Sequence, residues 1–132
     1  MKLYYAPGAC SQAPHIVAHE LGLVVEPVKV DLMKQTLPDG SDFRAINPKG
    51  YVPLLELDDG TRITEASVIL QYLADRKPGS LAPVFGTMER WRLMEWLAFI
   101  GELGAYAGSG PVAYYFLRDP AKADEPSNRD LA

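Results

Sequence analysis

The stretch "YVPLLELDDGTRITEASVILQYLAD", residues 51–75, decides the fold class. Two short apolar runs flank "DDG", and an Asp-Gly pair between such runs is typical of a β-hairpin. After the second run the apolar side chains recur at i, i+1, i+4 and i+5 from Val68, which is helical spacing, with Thr64 as the expected cap. The stretch therefore predicts two strands followed by a helix.

The segment before this hairpin predicts a βαβ unit. "KLYY" is a short strand, "APGA" is a turn, and a helix is expected from Ser11 to about Gly22, with Ala13, Ile16, Val17 and Leu21 on its packed face. "VVEPVKVDL" is β-branched and predicts a second strand, parallel to the first. A polar loop follows, with one helical turn near "SDFRAI". The predicted order is β-α-β-α-β-β-α, an α/β fold.

The chain is expected to divide into three parts. Residues 1–80 form the α/β domain, and residues 81–86 are a linker that ends a stretch, residues 75–86, with two prolines and two glycines. Residues 87–132 form a shortened helical region with a polar tail. The long helix predicted from Thr87 is apolar on most of its circumference and carries Trp91 and Trp96. Such a helix is normally buried on two sides or lies in an interface, so we expect a partner chain to cover it.

Composition excludes several classes of function. The 132 residues carry a net charge of -4 without a basic patch, so no nucleic-acid partner is expected. No stretch is long and apolar enough for a membrane span, and no signal peptide is recognisable, which predicts a cytoplasmic protein. With one cysteine, Cys10, no internal disulfide can form. Any redox partner of this thiol must come from another molecule.

Cys10 is the first candidate for chemistry. It precedes the first turn of the predicted helix, where free N–H groups and the helix dipole lower the pKa of a thiol and favour the thiolate. The alternative is a small buried side chain that only packs. The sequence alone leaves these two possibilities equally open.

Two further features suit a peptide-like ligand. Pro53 within a strand indicates an edge position or a cis bond, either of which leaves backbone groups of Val52 available, although many strands simply begin at a proline. A helix N-terminus opened by Thr64 offers N–H groups to a carboxylate, and Glu65 suits an ammonium group. The alternative at this point is an ordinary helix cap.

A metal site is disfavoured. His15 and His19 have the i, i+4 spacing of a chelating pair, but Cys10 is the only further histidine or cysteine, so a structural zinc site lacks its ligands. We expect two histidines on the helix surface, or one packed against the turn.

The combination of Cys10, "NPKGYVP" and "DDGTRITEASVILQYLAD" resembles the bacterial beta-class glutathione transferases, over residues 1 to about 100. The resemblance implies a thioredoxin-like glutathione-binding domain followed by helices, a homodimer, glutathione as co-substrate without a metal, and a role in detoxification. It implies that Cys10 contacts the glutathione sulfur or forms a mixed disulfide with it, that Val52-Pro53 is cis, and that Glu65 and Ala66 receive the γ-glutamyl end. The glutathione-binding residues implied are Tyr5, Ala9, Cys10, Ser11, Lys34, Gln35, Val52, Pro53, Glu65 and Ala66.

The chain also departs from that family. Gln35 stands where a lysine is usual, with Lys34 adjacent; Ala98 replaces an asparagine, and Gly104, or Ala105 in a shifted alignment, replaces a histidine. The helical region is also much shorter than the family's. Two hypotheses follow: a transferase or thiol-exchange enzyme acting through Cys10 on an electrophile that the sequence does not identify, and a non-catalytic glutathione-binding or dimerisation module. A dithiol oxidoreductase is disfavoured because a second cysteine is lacking.

Overall fold

The computed structural model describes the chain from residue 1 to residue 106, with side chains as far as Glu102. The predicted order of elements is confirmed, including a single 3₁₀ turn in the polar loop, and the fold is thioredoxin-like. The elements are β1 (Lys2–Tyr5), α1 (Gln12–Glu20), β2 (Glu26–Lys29), the 3₁₀ turn (Phe43–Ala45), β3 (Leu54–Glu56), β4 (Arg62–Thr64), α2 (Ala66–Asp75) and α3 (Met88–Tyr106).

The strands form a mixed sheet in the order β2-β1-β3-β4. β1 and β2 are parallel, as expected for strands joined by a helix, while β3 is antiparallel to both β1 and β4. Leu54 lies opposite both Tyr4 and Thr64 in this register. The C-terminal ends of β1 and β4 therefore lie beside the N-terminal end of β3.

Alternation along the strands divides the core between the two faces of the sheet, because successive side chains point to opposite sides. Leu3 and Leu55 pack with α1 and α2 on one face, against Ile69 and Leu73. On the other face a second cluster surrounds the fully buried Phe43. Burying each of these large side chains contributes about 1.5–3 kcal/mol, which fixes the strands and hence the loops at their ends.

One local prediction was wrong, and another was right only in part. The residue before α2 is Glu65, with φ 70° and no side-chain capping bond, while Thr64 is the last residue of β4. On α1, Val17 and Leu21 pack in the core as predicted, whereas Ala13 and Ile16 are exposed. The helix buries Pro14 and Ala18 in their place. Helical spacing alone therefore identified only part of the packed face, because the apolar face is wider than the buried one.

The chain forms two compact units, Met1–Met94 and Glu95–Ala132, which are described separately. The first contains the sheet, α1, α2 and the first turns of α3. In the second, the remainder of α3 carries the exposed side chains Trp96, Phe99 and Ile100. The predicted apolar segment "PVAYYFL" and the polar tail lie outside the described residues. The proposed domain boundary at residues 80 and 81 remains a prediction.

The first turns of α3 are joined to α2 by a buried arginine. Arg90 is 1% exposed, and its guanidinium donates to both carboxylate oxygens of Asp75, at 2.7 Å each. It also donates to the carbonyl of Pro83 at 3.1 Å and to Gln71 Oε1 at 3.4 Å. A guanidinium so removed from water is stable only when it is paired, so this contact orders the segment between α2 and α3.

Candidate functional site

Three segments meet at one end of the sheet. The loop after β1 carries Cys10, the segment before β3 carries Val52 and Pro53, and the junction between β4 and α2 carries Glu65. They meet because the register sets the end of β1, the start of β3 and the end of β4 side by side. Cys10, Val52, Pro53, Glu65 and the adjacent Ala66 thus lie in one region, as the sequence suggested.

Cys10 is exposed, and its Sγ lies 3.4 Å from the carbonyl oxygen of Val52, to which the thiol donates. The loop is held from beneath by Ser11, which is fully buried. Its hydroxyl donates to the carbonyl of Ala6 and accepts from the Ala6 N–H, at 3.2 Å in each case. Since the Ser11 hydroxyl is committed to the loop, the predicted contact of Ser11 with a ligand is left to its backbone.

The expectation of a lowered thiol pKa at Cys10 was wrong for the free protein. Desolvation is the largest cause and raises the pKa of the Cys10 thiol, the Glu65 carboxylate raises it further, and backbone hydrogen bonds from Cys10 and Ser11 lower it by less. The N–H groups of Gln12 and Ala13, at the start of α1, already bond the carbonyls of Ala9 and Cys10. They are therefore not available to the sulfur.

Val52-Pro53 is a cis peptide, as the resemblance implied. Val52 is 4% exposed, and its carbonyl oxygen accepts a hydrogen bond from the Cys10 thiol. A carbonyl oxygen has two lone pairs and can accept a second donor. This oxygen can therefore accept a ligand donor while it lies 3.4 Å from Cys10 Sγ.

Glu65 is half-exposed and is bound by two neighbours. Its Oε1 accepts from Lys49 Nζ at 2.8 Å and from the Tyr51 hydroxyl at 3.2 Å, and Lys49 also donates to Thr64 Oγ1 at 3.0 Å. The hydrogen bond from Lys49, the largest favourable cause, lowers the pKa of the Glu65 carboxyl, and the same bond raises the pKa of Lys49. The sequence reasoning missed both Lys49 and Tyr51.

Directly after Glu65, α2 begins with free donors. The carbonyl oxygen of Glu65 accepts hydrogen bonds from the N–H groups of Val68 and Ile69. Within the part of the chain that the structure describes, the N–H groups of Ala66 and Ser67 have no acceptor. Free N–H groups at a helix start favour an anion. The carboxylate of Glu65 and these donors together match the two charges of an α-amino acid head group.

Gln35 and Lys34 stand in the loop after β2. The Gln35 amide nitrogen donates to the carbonyls of Leu32 and Gly50, at 2.7 and 2.9 Å, and so joins this loop to the one before β3. Lys34 is largely exposed, with Asp31 at 3.9 Å. The amide nitrogen of Gln35 is thus used in hydrogen bonds to the backbone, whereas the cationic side chain of Lys34 faces solvent.

Of the other predicted residues, Tyr5 is the last residue of β1, and Ala9 lies in the loop after β1. Tyr5 is half-buried, with its ring centroid 6.1 Å from that of His15, and Ala9 packs partly against the second core cluster. His15 and His19 are both exposed on α1. No group of three residues able to hold a metal ion occurs among the described residues.

Other features lie away from the site or beyond what is described. A cavity of about 250 Å³ is lined by Met1, Lys2 and Glu56, at the end of β1 opposite Cys10. Ala98 is exposed on α3, whereas the side chains at 104 and 105 are outside the described set. Of the helices described, none has the length and apolar character needed to cross a membrane.

Comparison with known proteins identifies the family. Residues 8–76 match the family model "Glutathione S-transferase, N-terminal domain". The chain is 53% identical, over 102 residues, to glutathione S-transferase GstA of Escherichia coli O157:H7, covering 76% of this chain and 50% of that protein. It therefore spans about half the length of this curated relative.

Solved structures agree with that result. A bacterial beta-class glutathione S-transferase from Sphingomonas chungbukensis matches with a TM-score of 0.79 and 41% identity, over 93% of this chain and 67% of the other. A sphingomonad glutathione S-transferase complexed with glutathione matches with a TM-score of 0.77 and 40% identity, over 98% of this chain and 72% of the other.

The family model covers more than half of the chain, and the relatives share 40% or more of its residues over the matched region. The chain belongs to the glutathione S-transferase family, as the resemblance in its sequence indicated.

Proposed function

We propose that this protein binds glutathione and transfers it to an electrophile, or exchanges it as a mixed disulfide, through Cys10. One observation carries the proposal: the Cys10 thiol, the Val52 carbonyl and the Glu65 carboxylate meet at one end of the sheet. These groups match, in order, the sulfur, the peptide backbone and the α-ammonium of glutathione. The structure of a relative complexed with glutathione supports the choice of ligand.

The ligand is placed by its two ends. Glu65 binds the γ-glutamyl ammonium, and the free N–H groups of Ala66 and Ser67 bind the α-carboxylate. The cysteinyl N–H donates to the carbonyl of Val52, which already lies 3.4 Å from Cys10 Sγ. The glutathione sulfur is thereby brought to Cys10. At the glycyl end, Lys34 is the cation offered to the carboxylate, and Gln35 holds the loop that carries it.

The exchange reaction uses an oxidised glutathione derivative as its co-reactant. The Cys10 thiol loses its proton to solvent, and the thiolate attacks one sulfur of glutathione disulfide. The Cys10–glutathione disulfide forms, the glutathione disulfide bond breaks, and one glutathione thiolate leaves with the electron pair. In transfer to an electrophile, Cys10 instead contacts the thiol of bound glutathione.

Two observations favour the alternative, a module that binds glutathione without catalysis. The pKa of the Cys10 thiol is raised, so its thiolate is scarce at neutral pH, and the Gln35 amide is committed to backbone carbonyls. The raised pKa reduces reactivity at the sulfur without altering the groups proposed to bind glutathione, and the committed Gln35 amide does not replace the lysine usual at that position. Binding and adduct formation therefore have to be measured separately.

We also propose a cytoplasmic homodimer that acts in detoxification. The exposed apolar side chains of α3, Trp91 in the first unit and Trp96 in the second, support an interface with a second copy. A monomer in sedimentation at micromolar concentration would exclude it.

The test is calorimetric titration with reduced glutathione, followed by intact-mass measurement after incubation with glutathione disulfide. We expect saturable binding and an adduct on Cys10 that is absent from Cys10→Ala. Ser67→Ala, which keeps the backbone N–H, is a matched control and should form the adduct. Binding without an adduct supports the non-catalytic module, and absence of binding at millimolar glutathione contradicts both.

A further inference from the structure

Lys49 and Tyr51 bind the same oxygen of the Glu65 carboxylate. Lys49 Nζ lies 2.8 Å from Oε1 and the Tyr51 hydroxyl lies 3.2 Å from it. Among the residues that the structure describes, no hydrogen bond reaches Oε2. Both protein donors are thus on one side of the carboxylate, and the other oxygen is left for a ligand.

The Lys49 ammonium is itself fixed in position. It donates to Thr64 Oγ1 at 3.0 Å as well as to Glu65, and it lies 5.8 Å from the centre of the Tyr51 ring. Glu65 has φ 70°, a backbone conformation that a residue with a Cβ keeps only where the surrounding structure holds it. Backbone and side chain of Glu65 are therefore both held before any ligand arrives.

Holding a carboxylate in advance strengthens recognition. A free glutamate side chain loses rotamer entropy when it binds a ligand, and this loss weakens binding. Lys49 and Glu65 also form a pair without net charge, which suits a head group that carries both an ammonium and a carboxylate. Loss of Lys49 would leave the Glu65 carboxylate free to rotate and would change this charge balance.

From this geometry we infer that Lys49, assisted by Tyr51, is a positioning residue: it turns Oε2 of Glu65 toward the ligand and so makes the site selective for γ-glutamyl groups with a free α-ammonium. The inference rests on the proposed glutathione function. It concerns selectivity at Glu65 and is independent of chemistry at Cys10.

The experiment compares glutathione with its des-amino analogue, which has the same length but lacks the ammonium. Calorimetric dissociation constants for both ligands give a selectivity ratio for each variant of the full chain. The variants are Lys49→Met, Lys49→Arg, Glu65→Gln and the double change of Lys49 and Glu65. Lys77→Met, beyond the opposite end of α2, is the matched control, and thermal denaturation checks that each variant folds.

We expect the wild type to prefer glutathione by at least tenfold, since a hydrogen bond to a charged group is one of the stronger kind. Lys49→Met should lower the ratio by about three- to tenfold, Lys49→Arg should restore most of it, and Lys77→Met should leave it unchanged. In the Glu65→Gln background, Lys49→Met should have no further effect on the ratio, because Lys49 acts through Glu65.

Other outcomes overturn the inference. Equal weakening of both ligands by Lys49→Met would show a structural role only, and a higher ratio would show that Lys49 competes with the ligand ammonium. A wild-type ratio near one would remove Glu65 as the ammonium acceptor. Failure of the wild type to bind glutathione at all would contradict the proposed function, whereas the preceding outcomes leave it standing.

Discussion

Removing the charge of Asp75 tests the claim that a buried ion pair orders the segment between α2 and α3. The change is Asp75→Asn, which preserves the shape of the side chain. Arg90 then keeps its bonds to Pro83 and Gln71, at 3.1 and 3.4 Å, but loses the carboxylate that both of its terminal nitrogens contact at 2.7 Å.

The magnitude follows from exposure at the two ends of the pair. Breaking a fully buried pair by removing one partner costs about 3–5 kcal/mol. The Asp75 side chain is 46% exposed, whereas Arg90 is 2% exposed, so water reaches the acceptor but hardly reaches the guanidinium. The new amide oxygen also keeps one weaker bond. We therefore expect a loss of about half, or ~2 kcal/mol of the free energy of unfolding, which is roughly 8 °C in the melting temperature.

The assay is urea denaturation followed by circular dichroism and by tryptophan fluorescence, to which Trp91 beside Arg90 contributes. Asp58→Asn is the matched control, because Asp58 pairs with the terminal ammonium at 2.6 Å but is 89% exposed. Its loss should stay below about 1 kcal/mol and vanish near 1 M salt, where the Debye length is about 3 Å. The reasoning is refuted if Asp75→Asn is no less stable than Asp58→Asn, or if its deficit also vanishes in salt.

Three further predictions concern the site. Because desolvation raises the pKa of the Cys10 thiol, the rate of its alkylation by iodoacetamide in the free protein should rise with pH around a midpoint above the ordinary pKa of 9.0. A midpoint below 9.0 would instead support the lowered pKa expected from the helix start. Gly50→Ala should destabilise the chain by about 1–3 kcal/mol, because Gly50 has φ 71° and the added Cβ would lie 2.8 Å from Gln35 Oε1. In the Gln35→Ala background that cost should fall, and an unchanged cost would place the whole effect in the backbone. The folded pKa of Glu65 is lowered, so its pairing with Lys49 stabilises the fold above the ordinary value of 4.5 and is lost as the pH falls through the folded pKa. The difference in stability between wild type and Glu65→Gln should therefore shrink on acidification, and a constant difference in urea titrations would contradict this.

The order of elements was predictable because its signals are local. The Asp-Gly turn sets β3 and β4, and the apolar spacing after Glu65 sets α2, so the sequence alone places the segments that carry Val52 and Glu65. The register of the hairpin then brings the residues before Pro53 near those after Thr64. The hairpin register could have indicated that Lys49 and Tyr51 lie near Glu65. The sequence does not show, however, which side chains point to Glu65.

The pairing of Arg90 and the pKa of Cys10 could not be predicted in the same way. A charged residue in an apolar helix ordinarily lies at the surface, whereas Arg90 is buried with hydrogen bonds to Asp75 of α2 and to Pro83 before α3. For Cys10 the sequence indicates the helix start but not the competing loss of hydration. In both cases the outcome depends on how far water can reach the charged group, and this is set only when the whole domain has folded.

The central position of β1 has a consequence for synthesis on the ribosome. This strand leaves the ribosome before the strands that pair with it. After α1 it can pair with β2, but its other edge stays open until residues 54–56 emerge. The cluster around Leu3 is complete only when Leu73 has followed. Long-range pairings of this kind form late and slowly. Until then the nascent chain exposes one apolar strand edge, so the Cys10 loop acquires its partner Val52 only after most of the first unit has been made.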